Sequence, residues 1–246
     1  MQPSPVISSQ LLARYPAVRF AFSTRKGGVS PEPLGMNLSF RVGDEKGNVE
    51  ENRRRFFSHL GIAPEEVAFP MQCHSNHAVV VSGAGSFEAC DALLTKTRRI
   101  PLAVSVADCL PVFLFDPNNY AIAAIHAGWR GTVASITSEA VRSMMREWGS
   151  DPSNLVAYLG PSADVCCYEI RTDVGDLFEA DLVEQGGGKK FLNLKKANVR
   201  QLTMSGLKED NIEVSRSCTM CQPDLFHSFR REKERSGRMM GAIVLV

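Results

Sequence analysis

Two apolar segments of the sequence each carry one residue whose side chain can bind a metal or act as a nucleophile. Segment 100–116 contains Cys109, and segment 120–128 contains His126. The residues from Asp116 onward read Asp-Pro-Asn-Asn, which are types that favour a tight reversal of the chain. In a simple hairpin around this turn, Cys109 and His126 lie almost opposite each other. The pattern therefore predicts that a thiol and an imidazole face one cleft.

A third candidate is His74, which stands just before another predicted strand. One cysteine and two histidines on three strand ends make a metal site with an open position, the arrangement of catalytic zinc. The same cysteine and histidine also suit a Cys-His nucleophile pair. A lone buried cysteine is usually inert. The evidence for a functional site is therefore that Cys109 and His126 lie almost opposite each other in the predicted hairpin. His77 competes for the third position, but it begins the strand and we interpret it as structural.

Four further cysteines have spacings that invite a metal interpretation. Cys218 and Cys221 form a CxxC pair, but a zinc ribbon needs a second CxxC and the sequence has none. Cys166 and Cys167 are adjacent, and we expect neighbouring side chains not to reach one metal together. We interpret these four cysteines as packing residues.

Arginines in glycine-containing segments are a second set of candidate functional residues. Arg25, Arg130 and Arg238 stand in the contexts STRKGG, GWRG and SGRMM. A guanidinium beside exposed backbone N–H groups suits phosphate or another anion, so these three are candidate substrate-binding residues. The charge cluster Arg53–Arg55, by contrast, is expected on the solvated face of a helix.

Composition excludes several functional classes. The 246 residues include 28 basic and 27 acidic ones, and a net charge of +1 gives no electrostatic basis for binding nucleic acid. No apolar stretch has the length of a membrane span, and the first residues do not resemble a secretory signal. We expect a single domain over residues 1–246, a cytoplasmic location and a monomer, since neither a coiled coil nor an interface stripe is evident.

The hydrophobic pattern predicts a mixed α/β fold with buried sheet strands. The predicted helices cover 49–62, 132–149, 172–185 and 195–209. The predicted strands cover 77–83, 100–116 with a break near Pro111, 120–128, 154–162, 212–218 and 238–246. The segment Gln185–Gly188 is expected to be a surface loop between helices.

Seven segments of the chain, taken in order, resemble one known family. They are STRKGGVS (23–30), NLSFRVGDEKGNVEENRRR (37–55), QCHSN (72–76), ADCLPVFLFDP (107–117), AAIHAGWRGT (123–132), LGPSADVCCYEI (159–170) and SFRREKERSGRMMGAIVL (228–245). Together they closely resemble the bacterial laccase-domain family of YfiH/YlmD-like proteins. The pairing of ADCxP with HAGWRG is the most specific part of this resemblance.

The resemblance implies a layered α/β sandwich of mixed sheets flanked by helices, also likened to cysteine hydrolases of a bacterial toxin type. It implies a zinc or copper site formed by the histidine of QxH, the cysteine of ADC and the histidine of HAGWRG. These positions are His74, Cys109 and His126, which would also be the catalytic residues.

The implied activities are phosphorolysis of adenosine, inosine, guanosine and methylthioadenosine, and hydrolytic deamination of adenosine. Purine nucleosides and phosphate would then be the small-molecule partners. The family has also been described as multicopper polyphenol oxidases, but this chain has only five histidines. The alternatives are a Cys-His hydrolase, an editing factor for peptidoglycan precursors, a single-copper polyphenol oxidase, and a metal-binding protein without turnover.

Overall fold

The computed structural model describes residues 5–246. Within them the strands, in chain order, are β1 Val6–Ile7, β2 Val18–Ser23, β3 Ala68–Pro70, β4 Ala78–Val80, β5 Gly85–Phe87, β6 Ala92–Thr95, β7 Leu102–Val106, β8 Leu110–Asp116, β9 Ala121–Ala127, β10 Val156–Leu159, β11 Glu169–Ile170, β12 Val183–Gly186, β13 Lys189–Leu192, β14 Ile212–Val214 and β15 Met239–Leu245. The helices are α1 Lys46–Ser58, α2 Trp129–Val133, α3 Ile136–Trp148, α4 Thr172–Gly175, α5 Leu194–Met204 and α6 Phe229–Glu232.

The described strands form two large sheets and one small sheet. Sheet 1 has the order β1-β2-β15-β7-β3-β5, and sheet 2 has the order β14-β10-β8-β9-β6-β4. Both sheets contain parallel and antiparallel pairs. The small sheet has the order β11-β13-β12. The predicted class, α/β with mixed sheets and flanking helices, is confirmed.

The two large sheets pack face to face, and helices cover their outer faces. Along β8, Val112 and Leu114 belong to a buried cluster that includes residues of α3, whereas Phe113 and Phe115 pack with residues of sheet 1. This alternation follows from the two-residue period of a strand. On the far side of sheet 1, α1 contributes Phe56 and Phe57 to a third buried cluster. The layers are therefore helix, sheet, sheet, helix.

A break within 100–116 is present and separates the sheets, but it lies at 107–109, and Pro111 is the second residue of β8. Strand β7 ends at Val106 in sheet 1, and β8 begins at Leu110 in sheet 2. The predicted hairpin is also present as β8 and β9, with Pro111 opposite His126. The predicted helix 132–149 is divided into α2 and α3, and it ends as expected at Gly149 in a left-handed conformation.

The prediction of a helix over 172–185 is wrong. Only α4 and a short 3-10 turn at Ala180–Leu182 are helical there, and β12 and β13 form a hairpin that begins at Val183. Gly187 and Gly188 have φ angles of 59° and 74°, so the turn is of the kind that needs two left-handed residues and that matches strand twist. The glycine run is a hairpin turn and not a loop between helices.

A search of the described helices for a membrane-spanning segment finds none that combines enough length with enough apolar character.

The last strand is central to the fold, which leads to a test by truncation. All seven residues of β15 are buried, and the strand pairs with β2 on one side and β7 on the other. Burial of each large apolar side chain in it stabilises the protein by about 1.5–3 kcal/mol, and five such side chains rival the whole stability of ~5–15 kcal/mol. A chain ending at Ser236 is therefore expected not to fold, as measured by circular dichroism and urea unfolding. A soluble truncated chain with a cooperative unfolding transition would contradict this placement.

Candidate metal and catalytic site

The predicted trio meets at the edge where the chain passes between the two large sheets. His74 lies in the crossing from β3 to β4, and Cys109 lies in the crossing from β7 to β8. His126 is near the end of β9, on the face that also carries Ile122 and Ala124, which pack against sheet 1. One potential ligand atom from each of the three side chains lies within 4.8 Å of the other two.

His126 is buried and oriented by a carboxylate. Its Nδ1 lies 2.7 Å from Oδ1 of Asp91, so its Nε2 is the ring nitrogen left for Cys109 or an ion. Burial opposes the imidazolium form, but the interaction with the neighbouring Cys109 sulfur and the hydrogen bond to Asp91 outweigh it and raise the pKa of His126 to about 9. The Asp91–His126 pair is the usual way to fix the tautomer and direction of a ligating or catalytic histidine.

Asp91 also holds the loop that carries His74. Its carboxylate accepts hydrogen bonds from the backbone N–H groups of Cys73, His74 and Ser75, at 3.2, 3.1 and 2.7 Å. The side chain is fully buried, which disfavours charge, yet the hydrogen bond and charge of His126 and the N–H of Ser75 hold the pKa of Asp91 well below its usual range. One carboxylate therefore positions two members of the trio.

His74 adopts a left-handed backbone conformation with a φ of 63°. This region is uncommon for residues other than glycine, and the hydrogen bond from the His74 N–H to Asp91 helps to hold it there. Burial, the charge of His126 and the charge of Arg130 lower the pKa of His74, which favours the neutral imidazole that a metal requires.

The backbone before Cys109 is also held in an uncommon conformation. Asp108 has a φ of 85°, and its buried carboxylate accepts hydrogen bonds from Thr219 Oγ1 at 2.6 Å, Ser228 Oγ at 3.0 Å and Arg230 N at 2.7 Å. Such strain persists only where surrounding contacts over-determine it. These three bonds fix the direction in which the Cys109 side chain leaves the crossing.

Gly128 is required because the side chains of His74 and Cys109 pack directly against it. A Cβ atom at this position would lie 2.8 Å from Nδ1 of His74 and 3.1 Å from Sγ of Cys109. The φ of Gly128 is −73°, so the constraint is space and not backbone freedom. The glycine after the histidine thus admits the other two functional side chains.

The donor set fits one zinc or copper ion. A thiol and two imidazoles lie within reach of a common point and border an open cavity, as in catalytic zinc sites with three protein ligands. Copper binds the same ligand types strongly. The carboxylate behind His126 supplies the outer hydrogen bond that such sites use.

The trio lines a cleft of about 410 Å³ that is also bordered by three arginines, of which Arg41 is exposed and Arg53 and Arg238 are partly buried. Arg53 extends into the cleft from α1, and Arg238, the residue just before β15, also borders it. The cleft also contains aromatic rings that offer flat apolar surfaces. They are Phe40, Phe69 and Phe229. A small anionic and aromatic molecule matches this combination of surfaces.

The prediction that Arg53 lies on a solvated helix face is wrong. Its guanidinium lies over the rings of Phe40 and Phe69, 4.3 and 4.7 Å from their centroids, and burial lowers the pKa of Arg53 to about 10. Arg54 does face solvent and pairs with Glu51. The difference follows from helical spacing, because Arg53 shares the inward face with Val49 and Phe56.

Of the three predicted anion-binding arginines, the structure brings only Arg238 to the cleft. Arg25 donates to the carbonyl oxygens of Pro223 and Pro33 and forms ion pairs with Glu32 and Glu232. Its donors are thus engaged in a structural network away from the cleft.

Arg130 is exposed outside the cleft, with its guanidinium 4.3 Å from the centroid of the Trp129 ring. It is still close enough to His74 to lower the pKa of that imidazole, after the larger effects of burial and His126. His77 lies outside the trio, as expected, with its Nδ1 3.0 Å from the carbonyl oxygen of Ala89.

The interpretation of four cysteines as packing residues is wrong. Cys166 and Cys221 are exposed, Cys167 is half-buried, and only Cys218 is buried. Their four sulfur atoms lie within 4.8 Å of one another. The sequence argument assumed that neighbouring side chains diverge, as they do in an extended strand, but Cys166 and Cys167 lie in a turn.

Sequence reasoning missed Asp91, Asp108 and Arg53. A lone acidic residue before the apolar strand β6 resembles many surface residues, and only the fold shows that Asp91 is buried. Arg53 had a usable signal, which is its helical spacing from the apolar residues of α1.

The chain is similar to the purine nucleoside phosphorylase of Bacteroides thetaiotaomicron. The two share 30% identity over an alignment of 259 positions, which covers 98% of this chain and 96% of that protein. It is also similar to the adenosine deaminase RL5 of an unknown prokaryotic organism, with 32% identity over 243 residues that cover 91% and 92% of the two chains. The crystal structure of the Bacillus licheniformis hypothetical protein YfiH superimposes with a TM-score of 0.93 and 30% identity, covering 99% of this chain and 97% of that one.

A sequence model of the family described as multi-copper polyphenol oxidoreductase laccase matches residues 19–246. Because this match covers most of the chain, and because YfiH shares its fold, the chain belongs to this laccase-like family of YfiH-type proteins.

Proposed function

We propose that this protein is a purine nucleoside phosphorylase that also deaminates adenosine. The observation that carries the proposal is one cleft containing a Cys-His-His cluster, two partly buried arginines and aromatic rings. Relatives that are named for these two activities support it. The substrates proposed are adenosine, inosine, guanosine and methylthioadenosine, with phosphate as the second substrate of phosphorolysis.

In phosphorolysis, a phosphate oxygen bonds to the ribose C1′ while the bond from C1′ to the purine breaks. The purine leaves with the bonding electrons, on the side opposite to the phosphate. We assign phosphate binding to Arg53 and Arg238, since both guanidiniums border the cleft and are partly desolvated. Partial desolvation strengthens a charge-assisted hydrogen bond. The purine then lies on the side of the trio.

His74, Cys109 and His126 would hold the metal ion, and Asp91 would keep His126 in its ligating tautomer. When bound, the ion supplies Lewis acidity that stabilises negative charge on the substrate and acidifies water. The chain itself supplies a fixed position for the base and a wall of aromatic side chains that limits water. Arg130 remains a candidate for the outer end of the substrate, because its exposed guanidinium is near His74.

A second candidate function is a Cys-His hydrolase that acts on an amide or ester. The specific observation is that His126 interacts with Cys109 on one side and with the Asp91 carboxylate on the other. Thiol, imidazole and carboxylate in this order form a nucleophile triad. In that case Cys109 attacks the substrate directly and needs no metal.

An assay of nucleoside conversion separates these two functions. The pure protein is incubated with adenosine or inosine, with and without phosphate, and the products are separated by chromatography. We expect phosphate-dependent release of adenine or hypoxanthine, and some inosine from adenosine without phosphate. Cys109→Ala should lower both activities by roughly a hundredfold or more, because a ligand is lost.

Chelation distinguishes the mechanisms in the same assay. Loss of nucleoside conversion on chelation, with recovery on adding zinc, is expected for the metal enzyme. If neither nucleoside changes under any condition, the phosphorylase proposal fails. Hydrolysis of an amide or ester that survives chelation and is lost in Cys109→Ser would establish the hydrolase instead.

The next prediction concerns the phosphate site. Arg53→Gln removes a guanidinium from the cleft, and we expect the KM for phosphate to rise about tenfold to a hundredfold, as for loss of a charged hydrogen bond. The matched control is Arg54→Gln, the neighbouring residue of α1 that pairs with Glu51 in solvent. Equal effects of the two substitutions on the KM would remove Arg53 from the phosphate site. Thermal unfolding of both variants identifies any loss of folding.

Asp91 is proposed to act as a positioning residue for His74 and His126. Asp91→Asn should weaken zinc affinity and kcat by about tenfold to a hundredfold, because it disturbs both the His126 tautomer and the His74 loop. Competition with a zinc indicator measures the affinity. Asp116→Asn is the matched control, since Asp116 is also buried and accepts hydrogen bonds from Asn118 and Asn119 at the other end of the β8–β9 hairpin. The control should lose stability without losing zinc affinity. An Asp91→Asn protein with normal zinc affinity and kcat would refute this role.

A further inference from the structure

A second cluster of metal-ligating side chains lies outside the cleft. Cys166 and Cys167 belong to the turn after β10, and Cys218 and Cys221 belong to the segment after β14. Strands β10 and β14 are parallel neighbours in sheet 2, and a further bridge pairs Ser162 with Cys218. The two segments therefore leave the same edge of the sheet side by side.

The sulfur atoms are arranged around a common point. Sγ of Cys221 lies 3.5 Å from that of Cys166 and 3.0 Å from that of Cys167, and no two of the four sulfurs are more than 4.8 Å apart. Around a tetrahedral zinc ion with Zn–S distances of about 2.3 Å, the sulfurs are roughly 3.8 Å apart. The two short separations lie below this value and the others do not exceed 4.8 Å, so side-chain movements of about 1 Å would bring the four sulfurs to an ion.

Turn geometry explains how adjacent cysteines face the same point. The N–H groups of Cys167 and Tyr168 both donate to the carbonyl oxygen of Asp164, at 2.9 and 2.8 Å. The chain is thus coiled at Cys166 and Cys167, and successive side chains no longer point to opposite sides. On the other segment, the N–H of Gln222 donates to the carbonyl oxygen of Cys218 at 3.2 Å, which closes the CxxC turn.

A disulfide explains the cluster less well than a metal does. A single disulfide would leave two sulfurs without a role, and two disulfides would need separate pairs, whereas Sγ of Cys221 lies close to both Cys166 and Cys167. A tetrahedral ion uses all four sulfurs. Apolar packing does not explain it either, since Cys166 and Cys221 are exposed. Four thiolate ligands in tetrahedral geometry are typical of structural zinc.

We propose that Cys166, Cys167, Cys218 and Cys221 form a structural zinc site, separate from the trio of the cleft. This inference does not depend on the proposed enzymatic function. The ion joins two segments that are distant in sequence, and the buried amine of Lys195 already bridges them, 2.6 Å from Asp164 Oδ2 and 2.9 Å from the Ser217 carbonyl oxygen.

The site also supports the catalytic loop. Thr219, inside the CxxC turn, donates to Asp108, the residue before Cys109. Arg231 donates to the carbonyl oxygens of Thr219 and Met220, at 2.8 and 3.1 Å, and so fixes the turn from the other side. Zinc at the four cysteines would hold the turn that anchors Asp108.

Metal analysis tests the proposal on the full-length protein. The double variant His74→Ala/Cys109→Ala, called the cleft-free variant, removes the first metal site. After purification with zinc and removal of loosely bound metal, we expect two zinc ions per wild-type chain and one per cleft-free chain.

Adding Cys166→Ser and Cys221→Ser to the cleft-free variant should reduce the number of bound zinc ions to near zero, and both positions are exposed enough to replace without disturbing the core. Adding Cys73→Ser instead, an exposed cysteine outside the cluster, should leave one zinc.

Cobalt spectroscopy identifies the ligands without relying on enzyme activity. Cobalt added to the metal-depleted cleft-free variant should give the charge-transfer and visible bands of a tetrahedral tetrathiolate, and the Cys166→Ser/Cys221→Ser background should not. A cleft-free variant that binds no zinc, shows no such bands and has freely reactive thiols at all four cluster cysteines would overturn the proposal. A mass two units lower per pair of cysteines, showing disulfides in the protein as purified, would also overturn it.

Discussion

The hydrogen bonds to the buried carboxylate of Asp91 are the interaction on which the site depends. Asp91 accepts from Nδ1 of His126 and from three consecutive backbone N–H groups that include that of His74. A buried carboxylate without partners is very costly, so these donors cannot leave it without a large loss of stability. The need to satisfy one buried charge therefore keeps two histidines from different segments in a fixed relation.

The layered fold determines where this constraint operates. The two sheets exclude water from their shared core, and the chain must cross between them at their edges. Two crossings meet at one edge, one with His74 and the other with Cys109, and the end of β9 delivers His126 to the same place. Polar side chains are tolerated there because the apolar core ends and a cleft begins. Asp108 gives the second crossing its own hydrogen-bonded anchor, which links it to the segment of Cys218 and Cys221.

Charge is divided between the two sides of the cleft. The trio and Asp91 form a side that attracts a metal cation, whereas Arg53 and Arg238 form a side that attracts an anion. The guanidinium of Arg53 lies over the rings of Phe40 and Phe69, and these contacts restrict the conformations of its side chain and keep it in a defined position. The aromatic rings of the cleft lie on the arginine side, where Phe40 and Phe69 contact Arg53 and Phe229 contacts Arg238.

The sequence by itself determined the mixed α/β class, the β8–β9 hairpin and the nearness of Cys109 to His126, although the hairpin register places Pro111, and not Cys109, opposite His126. These features depend on the two-residue strand period and on a short turn, which are local and can be counted. It did not determine the burial of Asp91, the inward direction of Arg53 or the meeting of Cys166 and Cys167 with Cys218 and Cys221. Those depend on contacts between segments far apart in the chain, such as the parallel pairing of β10 with β14, and only the tertiary structure decides them. The same reason explains why the prediction of a helix over 172–185 failed, since packing and a two-glycine turn form a hairpin from Val183 onward.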